Sequence, residues 1–204
     1  MAHDPYCYPG TNVLINLCDL RDQDALNSFE SDAVFLAMAA MQLRPLHGPF
    51  DLLRLRETHR RIFSRVYAWA GELRTDIGML VKERSGFTVA YGPSLHVPAA
   101  LETVFARLKA EEELRGLEAE LFLRRLAYFY SELDAIHPFR EGNSRTLRAW
   151  FSDLAQASGR RLDWSCVGQS EEARQRLCHA RDVAVMRGDL AELTAILRHC
   201  LLSE

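Results

Sequence analysis

The residues whose types and spacing could do chemistry lie in one stretch, from position 137 to 148. It reads His-Pro-Phe-Arg-Glu-Gly-Asn-Ser-Arg-Thr-Leu-Arg. His137 is the one side chain there that accepts a proton near neutral pH, so it is the candidate general base. A carboxylate at Glu141 and guanidinium groups at Arg145 and Arg148 follow it. These residue types point to a phosphate-handling site that carries its own base.

Apolar residues recur at helical spacing on both sides of this stretch. They stand at Phe122, Leu126, Phe129, Leu133 and Ile136 before it, and at Leu147, Trp150, Phe151, Leu154 and Ala155 after it. Pro138 cannot extend the first helix, and Gly142-Asn143 offers a turn and an N-cap for the second. The sequence therefore predicts a polar loop held between two buried helices.

The start of the second helix has the parts of an anion site. The amides of Gly142, Asn143 and Ser144 lie at a helix N-terminus, where unpaired N–H groups and the helix dipole favour negative charge. The two arginines follow three residues apart on one side of the helix. Arginine suits a helix N-terminus poorly unless an anion sits there, so the pattern indicates a polyphosphate ligand. Glu141 beside such an anion suits a bridging Mg²⁺.

The stretch resembles the motif of the Fic family, His-Pro-Phe-x-(Asp/Glu)-Gly-Asn-Gly-Arg-x-x-Arg, at every defined position except one. A second match, Phe63-x-x-x-Tyr67-x-Trp69-Ala70-Gly71-x-x-Arg74, is typical of the region before the flap of that family. With the spacing between the two matches, the resemblance covers roughly positions 6 to 202. The departure is Ser144, where the family usually has glycine.

The resemblance implies a single Fic domain over residues 1–204. The fold would be all-α, a helical bundle around the central helix-loop-helix motif at 137–148, with one small β-hairpin flap at about 74–92. Alternation of Ile77, Met79 and Val81, and then of Phe87, Val89 and Tyr91, around Glu83-Arg84-Ser85-Gly86 independently predicts that hairpin. In the family an extended segment of the target protein pairs with the flap, which here nominates Leu80, Val81, Lys82, Phe87, Thr88 and Val89.

Most of the remaining chain is predicted to be helical. We predict helices at 24–43, 50–69, 98–110, 117–136, about 143–158, 170–187 and 190–202. In the first of them Leu26, Phe29, Val34, Phe35, Met38 and Met41 are available for burial. Residues 1–20 look irregular.

Bulk properties restrict the class of protein. The chain has 204 residues, 48% of them hydrophobic, and a net charge of -3, which leaves no basic excess for nucleic acid. It contains no apolar run near the roughly 18–20 residues of a membrane span, and the first ten residues do not resemble a signal peptide. Five cysteines without a Cys-x-x-Cys pair indicate free thiols, and we expect a cytoplasmic protein. The family resemblance implies that it is bacterial.

The resemblance also implies a reaction. Most Fic proteins transfer AMP from ATP to a Tyr, Thr or Ser hydroxyl of a target protein and release pyrophosphate. His137 would take the hydroxyl proton, and Glu141 would hold Mg²⁺ between the α- and β-phosphates. The amides of residues 142–144 would line the anion hole, with Arg145 near the β-phosphate and Arg148 near the γ-phosphate. ATP and Mg²⁺ are therefore the expected substrate and cofactor.

Two outcomes are open for Ser144. Serine costs little if its φ is helical, whereas a positive φ would store about 1–3 kcal/mol of strain and displace the anion hole. We expect activity to be retained at a reduced level. The alternatives are a Fic enzyme that transfers another nucleotide or phospho-group, such as UMP or phosphocholine, and an inactive nucleotide-binding protein.

Many Fic proteins carry an inhibitory helix, (Ser/Thr)-x-x-x-Glu-(Gly/Asn). Here the one Glu followed by Gly or Asn is Glu141, and His137 stands four residues before it. The resemblance then implies a toxin whose inhibitor is a separate small antitoxin that contacts Arg148. Type II topoisomerase subunits are the candidate targets, and export into a host cell as an effector is a further possibility.

Overall fold

The structure is a computed structural model that describes residues 4–84 and 86–202. Its helices are α1 (Gln23–Leu43), α2 (Leu52–Phe63), α3 (Val97–Ala110), α4 (Ala119–Ile136), α5 (Asn143–Ala157), α6 (Ser165–Gly168), α7 (Glu171–Arg187) and α8 (Ala191–Cys200). Its strands are β1 (Leu80–Arg84) and β2 (Phe87–Tyr91). The expected helical fold with one small hairpin is confirmed.

Helix α4 lies at the centre of the main core and positions the motif. It packs against α3, α5, α7 and α8. Its apolar stripe of Phe122, Leu126, Phe129 and Leu133 is completely buried, as the helical spacing predicted. Helices α1 and α2 form a second core with the N-terminal segment. The C-terminal end of α4 is therefore held by several helices at once.

The predicted helix from Phe50 to Trp69 is wrong in its length. Helix α2 begins after Asp51, whose carboxylate accepts a hydrogen bond from a first-turn amide at 2.9 Å, and it ends at Phe63. The Phe63 carbonyl then accepts the amides of Val66 and Tyr67 in consecutive turns. Apolar spacing continues through these turns because Val66 and Tyr67 are also buried, and spacing alone cannot distinguish such turns from helix.

The flap is shorter than the alternation predicted. Its strands pair antiparallel with Lys82 opposite Val89. The pattern placed the first strand from Ile77, whereas β1 begins at Leu80. The carbonyl of Ile77 instead accepts hydrogen bonds from the backbone and the hydroxyl of Ser94 at 3.2 and 2.9 Å, which ties it to the segment leading into α3.

The two faces of the flap differ. Leu80, Val89 and Tyr91 are buried against α7, with Phe87 partly buried beside them. The nominated docking residues Val81 and Thr88 are exposed. The predicted turn included Ser85, which lies outside the described residues. The outward face is therefore the part of the flap that a second chain can reach.

Two further observations concern the helices. Phe35, which we expected to be available for burial, is 74% exposed on α1, whereas its neighbour Val34 is buried. None of the helices that the structure describes is both long enough and apolar enough to span a membrane.

Candidate active site

The motif loop starts at His137, which caps α4 in a left-handed conformation with φ 49°. An arginine from the second sequence match holds this conformation. The Nε of Arg74 donates to the His137 carbonyl at 2.8 Å, and its Nη2 donates to the Gly92 carbonyl at 2.6 Å. The Arg74 amide donates to the Pro138 carbonyl at 2.9 Å. Arg74 is only 1% exposed, so it connects both ends of the flap to the loop from inside the protein.

The imidazole of His137 lies beneath the flap. The ring of Tyr91 stacks on it with a centroid distance of 3.9 Å and an interplanar angle of 23°. On α4, the Oδ1 of Asp134 lies 3.9 Å from the His137 Nδ1. His137 is 1% exposed, and the stacked ring of Tyr91 covers one face of the imidazole. Sequence reasoning did not nominate Tyr91 or Asp134.

Gly142 is required by both conformation and space. It has φ 81°, and a Cβ there would lie 2.3 Å from Cε2 of Phe63. Gly142 is also the N-cap of α5, and it is one of the two residues that the sequence offered for that turn and cap. The Asn143 amide side chain instead closes the loop, because it donates to the Phe139 carbonyl at 2.8 Å and accepts from the Phe139 amide at 2.9 Å. The first amides of α5 have no acceptor within the helix and remain suited to an anion.

A buried histidine from α2, His59, supports the loop from below, and the sequence patterns did not nominate it for the site. The Nδ1 of His59 accepts the Gly71 amide at 2.8 Å, so the proton is on Nε2, which donates to the Glu141 carbonyl at 3.0 Å. The ring stacks on Phe139 at 3.9 Å. Burial lowers the pKa of His59 to about 4, so this support is neutral at physiological pH.

Glu141, the nominated Mg²⁺ ligand, is an ionised carboxylate at the edge of the flap. Its Oε1 accepts the Gly142 amide at 2.8 Å, and its Oε2 lies 3.3 Å from the Nζ of Lys82. Burial opposes ionisation, but the Lys82 ammonium, the Gly142 N–H and a neighbouring guanidinium outweigh it and lower the pKa of Glu141. Lys82 thus links the flap to the loop, a contact that flap docking alone did not suggest.

Arg145 is balanced by the carboxylates of the chain itself. Its Nη1 lies 2.6 Å from Oε1 of Glu30 on α1, and its Nη2 lies 3.7 Å from Oε1 of Glu141. The Tyr67 hydroxyl donates to the other oxygen of Glu30. The sequence argument that an arginine at this helix start needs a bound anion therefore does not hold for Arg145, because Glu30 supplies the opposite charge. No local pattern predicted Glu30.

Arg148 lies one turn further on and is partly buried. Within residues 4–84 and 86–202, no carboxylate forms an ion pair with it. Burial lowers its pKa, and the like charges of Arg181 and Arg145 act in the same direction. A guanidinium in this state gains most from an anionic ligand, and this supports the nomination of Arg148 for phosphate.

Ser144 is helical, because it lies within α5 and its φ is not positive. Of the two outcomes left open by the sequence, backbone strain is therefore excluded. Its hydroxyl accepts a hydrogen bond from Nη1 of Arg181 on α7 at 3.0 Å.

The arrangement unites a candidate base, an anion-binding helix N-terminus, a carboxylate and a guanidinium within one short loop. No described group of three or more His, Cys, Asp or Glu side chains is arranged to hold a metal by itself. A divalent cation would therefore need phosphate oxygens in addition to Glu141. These features define a class of protein that acts on phosphate esters with a flap over the site.

The chain belongs to the Fic/DOC family, whose model matches residues 49–155. It is 36% identical over 173 residues to the protein adenylyltransferase VbhT of Bartonella schoenbuchensis, a match that covers 85% of this chain but only 35% of that protein. It is 33% identical over 201 residues to the probable protein adenylyltransferase y4lH of Sinorhizobium fredii, covering 98% of this chain and 97% of that protein. The expected family is confirmed, and the expected enzyme class agrees with these names.

Solved structures agree on the fold. The BepC protein of Bartonella tribocorum, crystallised with bound AMPPNP, superposes with a TM-score of 0.86 at 23% identity and covers 98% of this chain and 97% of that chain. The type IV secretion system effector protein BepA superposes with a TM-score of 0.84 at 26% identity and covers 96% of this chain and 68% of that chain.

Proposed function

We propose that this chain is a protein adenylyltransferase that transfers AMP from ATP to a hydroxyl side chain of a target protein. The observation that carries the proposal is the position of His137. It is the first residue of a six-residue loop, and the last residue of that loop is the N-cap of α5. A proton acceptor and an anion site are thereby held a few residues apart. The relatives named protein adenylyltransferase support the same reaction.

The chemistry follows from the side chains. A target hydroxyl loses its proton to the imidazole of His137 as its oxygen forms a bond to the α-phosphorus of ATP. The bond between that phosphorus and the bridging oxygen breaks, and pyrophosphate leaves. The first amides of α5 and the guanidinium of Arg148 balance the phosphate charge. Because these groups are preorganised, the protein supplies positioning and charge and needs no covalent intermediate.

Glu141 fits the part of a Mg²⁺ ligand. It is an ionised carboxylate, and Lys82 already places a cation beside it, which shows that the position favours positive charge. One carboxylate together with phosphate oxygens is a usual ligand set for Mg²⁺. When bound there, Mg²⁺ would neutralise charge on the leaving pyrophosphate.

The flap offers a route for the target. Its outward residues Val81 and Thr88 can meet an extended segment, and a groove of about 760 Å³ lies at its base, lined by Leu73, Thr75 and Ile77 among others. We propose that a target segment pairs with the flap and displaces Tyr91 from His137.

The experiment combines the chain with ATP labelled at the α-phosphate, Mg²⁺ and a bacterial lysate, beside the variant His137→Ala. We expect one or a few labelled protein bands that are absent with the variant. ATP labelled at the γ-phosphate is the control, and it should label nothing. A γ-label on the target would instead indicate phosphoryl transfer, and no band from intact protein that still binds ATP would indicate an inactive nucleotide-binding protein. UTP and CDP-choline tested in parallel distinguish the other donors.

We also propose that the chain is the toxin of a toxin–antitoxin pair in the bacterial cytoplasm, with a type II topoisomerase subunit as the target. One observation supports an inhibitor supplied by another protein, because Arg148 forms no ion pair with a carboxylate of the described residues. A small helical protein with a glutamate that reaches Arg148 would complete the pair.

Expression of the chain in bacteria tests this second proposal. We expect growth arrest that depends on His137 and is relieved by the small partner encoded beside the toxin. Replacement of the partner's glutamate by alanine should abolish the relief. Normal growth in the presence of active, soluble chain would contradict a toxin role.

A further inference from the structure

A buried ion pair outside the motif contacts both chemical halves of the site. Arg181 on α7 is 2% exposed, and Asp134 on α4 is fully buried. The Nε of Arg181 donates to Oδ2 of Asp134 at 3.0 Å, and its Nη2 donates to Oδ1. Burial alone would lower the pKa of Arg181, but the carboxylate of Asp134 reverses this and raises it, so the pair is ionised.

One end of the pair reaches the start of α5. The remaining Nη1 of Arg181 donates to the hydroxyl of Ser144 at 3.0 Å. Ser144 stands in the first turn of the helix whose amides are suited to phosphate, at the position where the family pattern has glycine. A glycine there has no side chain to accept this bond, so the contact is a consequence of the serine.

The other end of the pair reaches the base. Asp134 lies one turn before His137, and its Oδ1 is 3.9 Å from the His137 Nδ1. A carboxylate on that side favours the tautomer with the proton on Nδ1, which leaves the lone pair on Nε2 to accept a proton. Arg181 therefore contacts both Asp134, which faces the base His137, and Ser144, which lies in the first turn of the anion-binding helix.

We propose that the Asp134–Arg181 pair is a positioning device, with Ser144 as its contact on α5, that sets the distance and orientation between His137 and the anion-binding amides. This inference rests on the proposed nucleotidyl transfer. The two halves lie on different helices, and a misplacement of about 1 Å between reacting groups can cost on the order of 100-fold in rate. Arg181 lies beyond residues 49–155, the stretch that the family model matches.

The first test is a cycle of Ser144→Ala, Arg181→Lys and the double variant, with Arg176→Lys on the exposed face of α7 as the matched control. A lysine ammonium cannot span the acceptors that the guanidinium reaches. We expect Arg181→Lys to lower kcat about 10- to 100-fold and Ser144→Ala about 3- to 10-fold. The KM for ATP should stay within about twofold of the original value, because positioning affects the reacting step more than nucleotide binding.

The double variant should be no slower than Arg181→Lys alone, because both changes break the same contact. Rates that multiply, or Arg181→Lys activity equal to that of Arg176→Lys, would overturn the proposal. Ser144→Ala keeps the ion pair intact and so covers the case in which Arg181→Lys does not fold.

A second measurement separates this proposal from the proposed function. The ¹⁵N spectrum of the His137 imidazole reports its tautomer in the folded protein without any turnover. We expect protonated Nδ1 in the original chain, and a loss of that preference in Asp134→Asn or Arg181→Lys. An unchanged spectrum in both folded variants would refute the positioning role even if AMP transfer is present, whereas an altered spectrum without AMP transfer would refute only the proposed reaction.

Discussion

The neutral histidine beneath the loop makes the stability of this protein depend on pH in a defined window. His59 is fully buried, and burial lowers its pKa to about 4 from an ordinary value near 6.5. At a pH between these two values, His59 binds a proton in the unfolded chain but not in the folded chain. The contribution of His59 to stability is therefore complete above about pH 6.5 and is lost as the pH falls towards 4. Multiplying the shift in the pKa of His59 by 1.36 kcal/mol per unit gives a contribution of about 3 kcal/mol to the free energy of unfolding. Inside the window this free energy changes by about 1.4 kcal/mol per pH unit.

The assay is urea unfolding of the original chain and of His59→Gln at half-unit steps from pH 4 to 7.5. Acidic groups titrate in the same range, so the informative quantity is the difference in unfolding free energy between the two proteins at each pH. We expect the original chain to be more stable above pH 6.5 and this advantage to shrink by about 3 kcal/mol at pH 4. His47→Gln, which removes an exposed histidine, is the matched control for the substitution itself. A difference that is constant across the range would refute the assignment of His59 as a neutral buried support.

Three more predictions follow from single contacts. Gly142→Ala should abolish AMP transfer and lower the unfolding free energy by about 2–4 kcal/mol in urea titrations. The reason is that the alanine Cβ would lie 2.3 Å from the Phe63 ring, in a backbone conformation with positive φ. Near-normal activity would contradict the geometry. Lys82→Gln should change stability by less than about 1 kcal/mol, because the ion pair of Lys82 with Glu141 is partly exposed. It should nevertheless speed proteolysis within the flap. An unchanged cleavage rate would show that this contact does not hold the flap. The thiols of Cys166 and Cys200 lie 2.9 Å apart across 34 positions, so oxidised glutathione should join them with the loss of two hydrogens and raise Tm by roughly 6–14 °C. The joined pair is detected as a crosslinked peptide after proteolysis, and Cys166→Ser is the control. Peptides in which Cys166 and Cys200 both remain unlinked after oxidation would contradict the contact.

Much of the fold was predictable because helical spacing is a local property of the chain. The buried stripe of α4 and the start of α5 at residue 143 follow from apolar spacing and from Pro138 and Gly142. The errors have local causes as well. The helix predicted to end at Trp69 ends earlier because the buried turns after Phe63 carry the same spacing, and β1 begins late because Ile77 bonds to the segment before α3.

The sequence by itself determined the family, the candidate base His137 and the glycine that the loop requires, because these depend on residue types within twelve consecutive positions. The tertiary structure alone decided which charges meet. It pairs Glu30 with Arg145, and it brings Arg181 to Ser144 across 37 positions. Such pairs obey no period along the chain, since they depend on how whole helices pack. For this reason the chemistry of the site was readable in the sequence, whereas the contacts that orient it emerged only when α1 and α7 were in place.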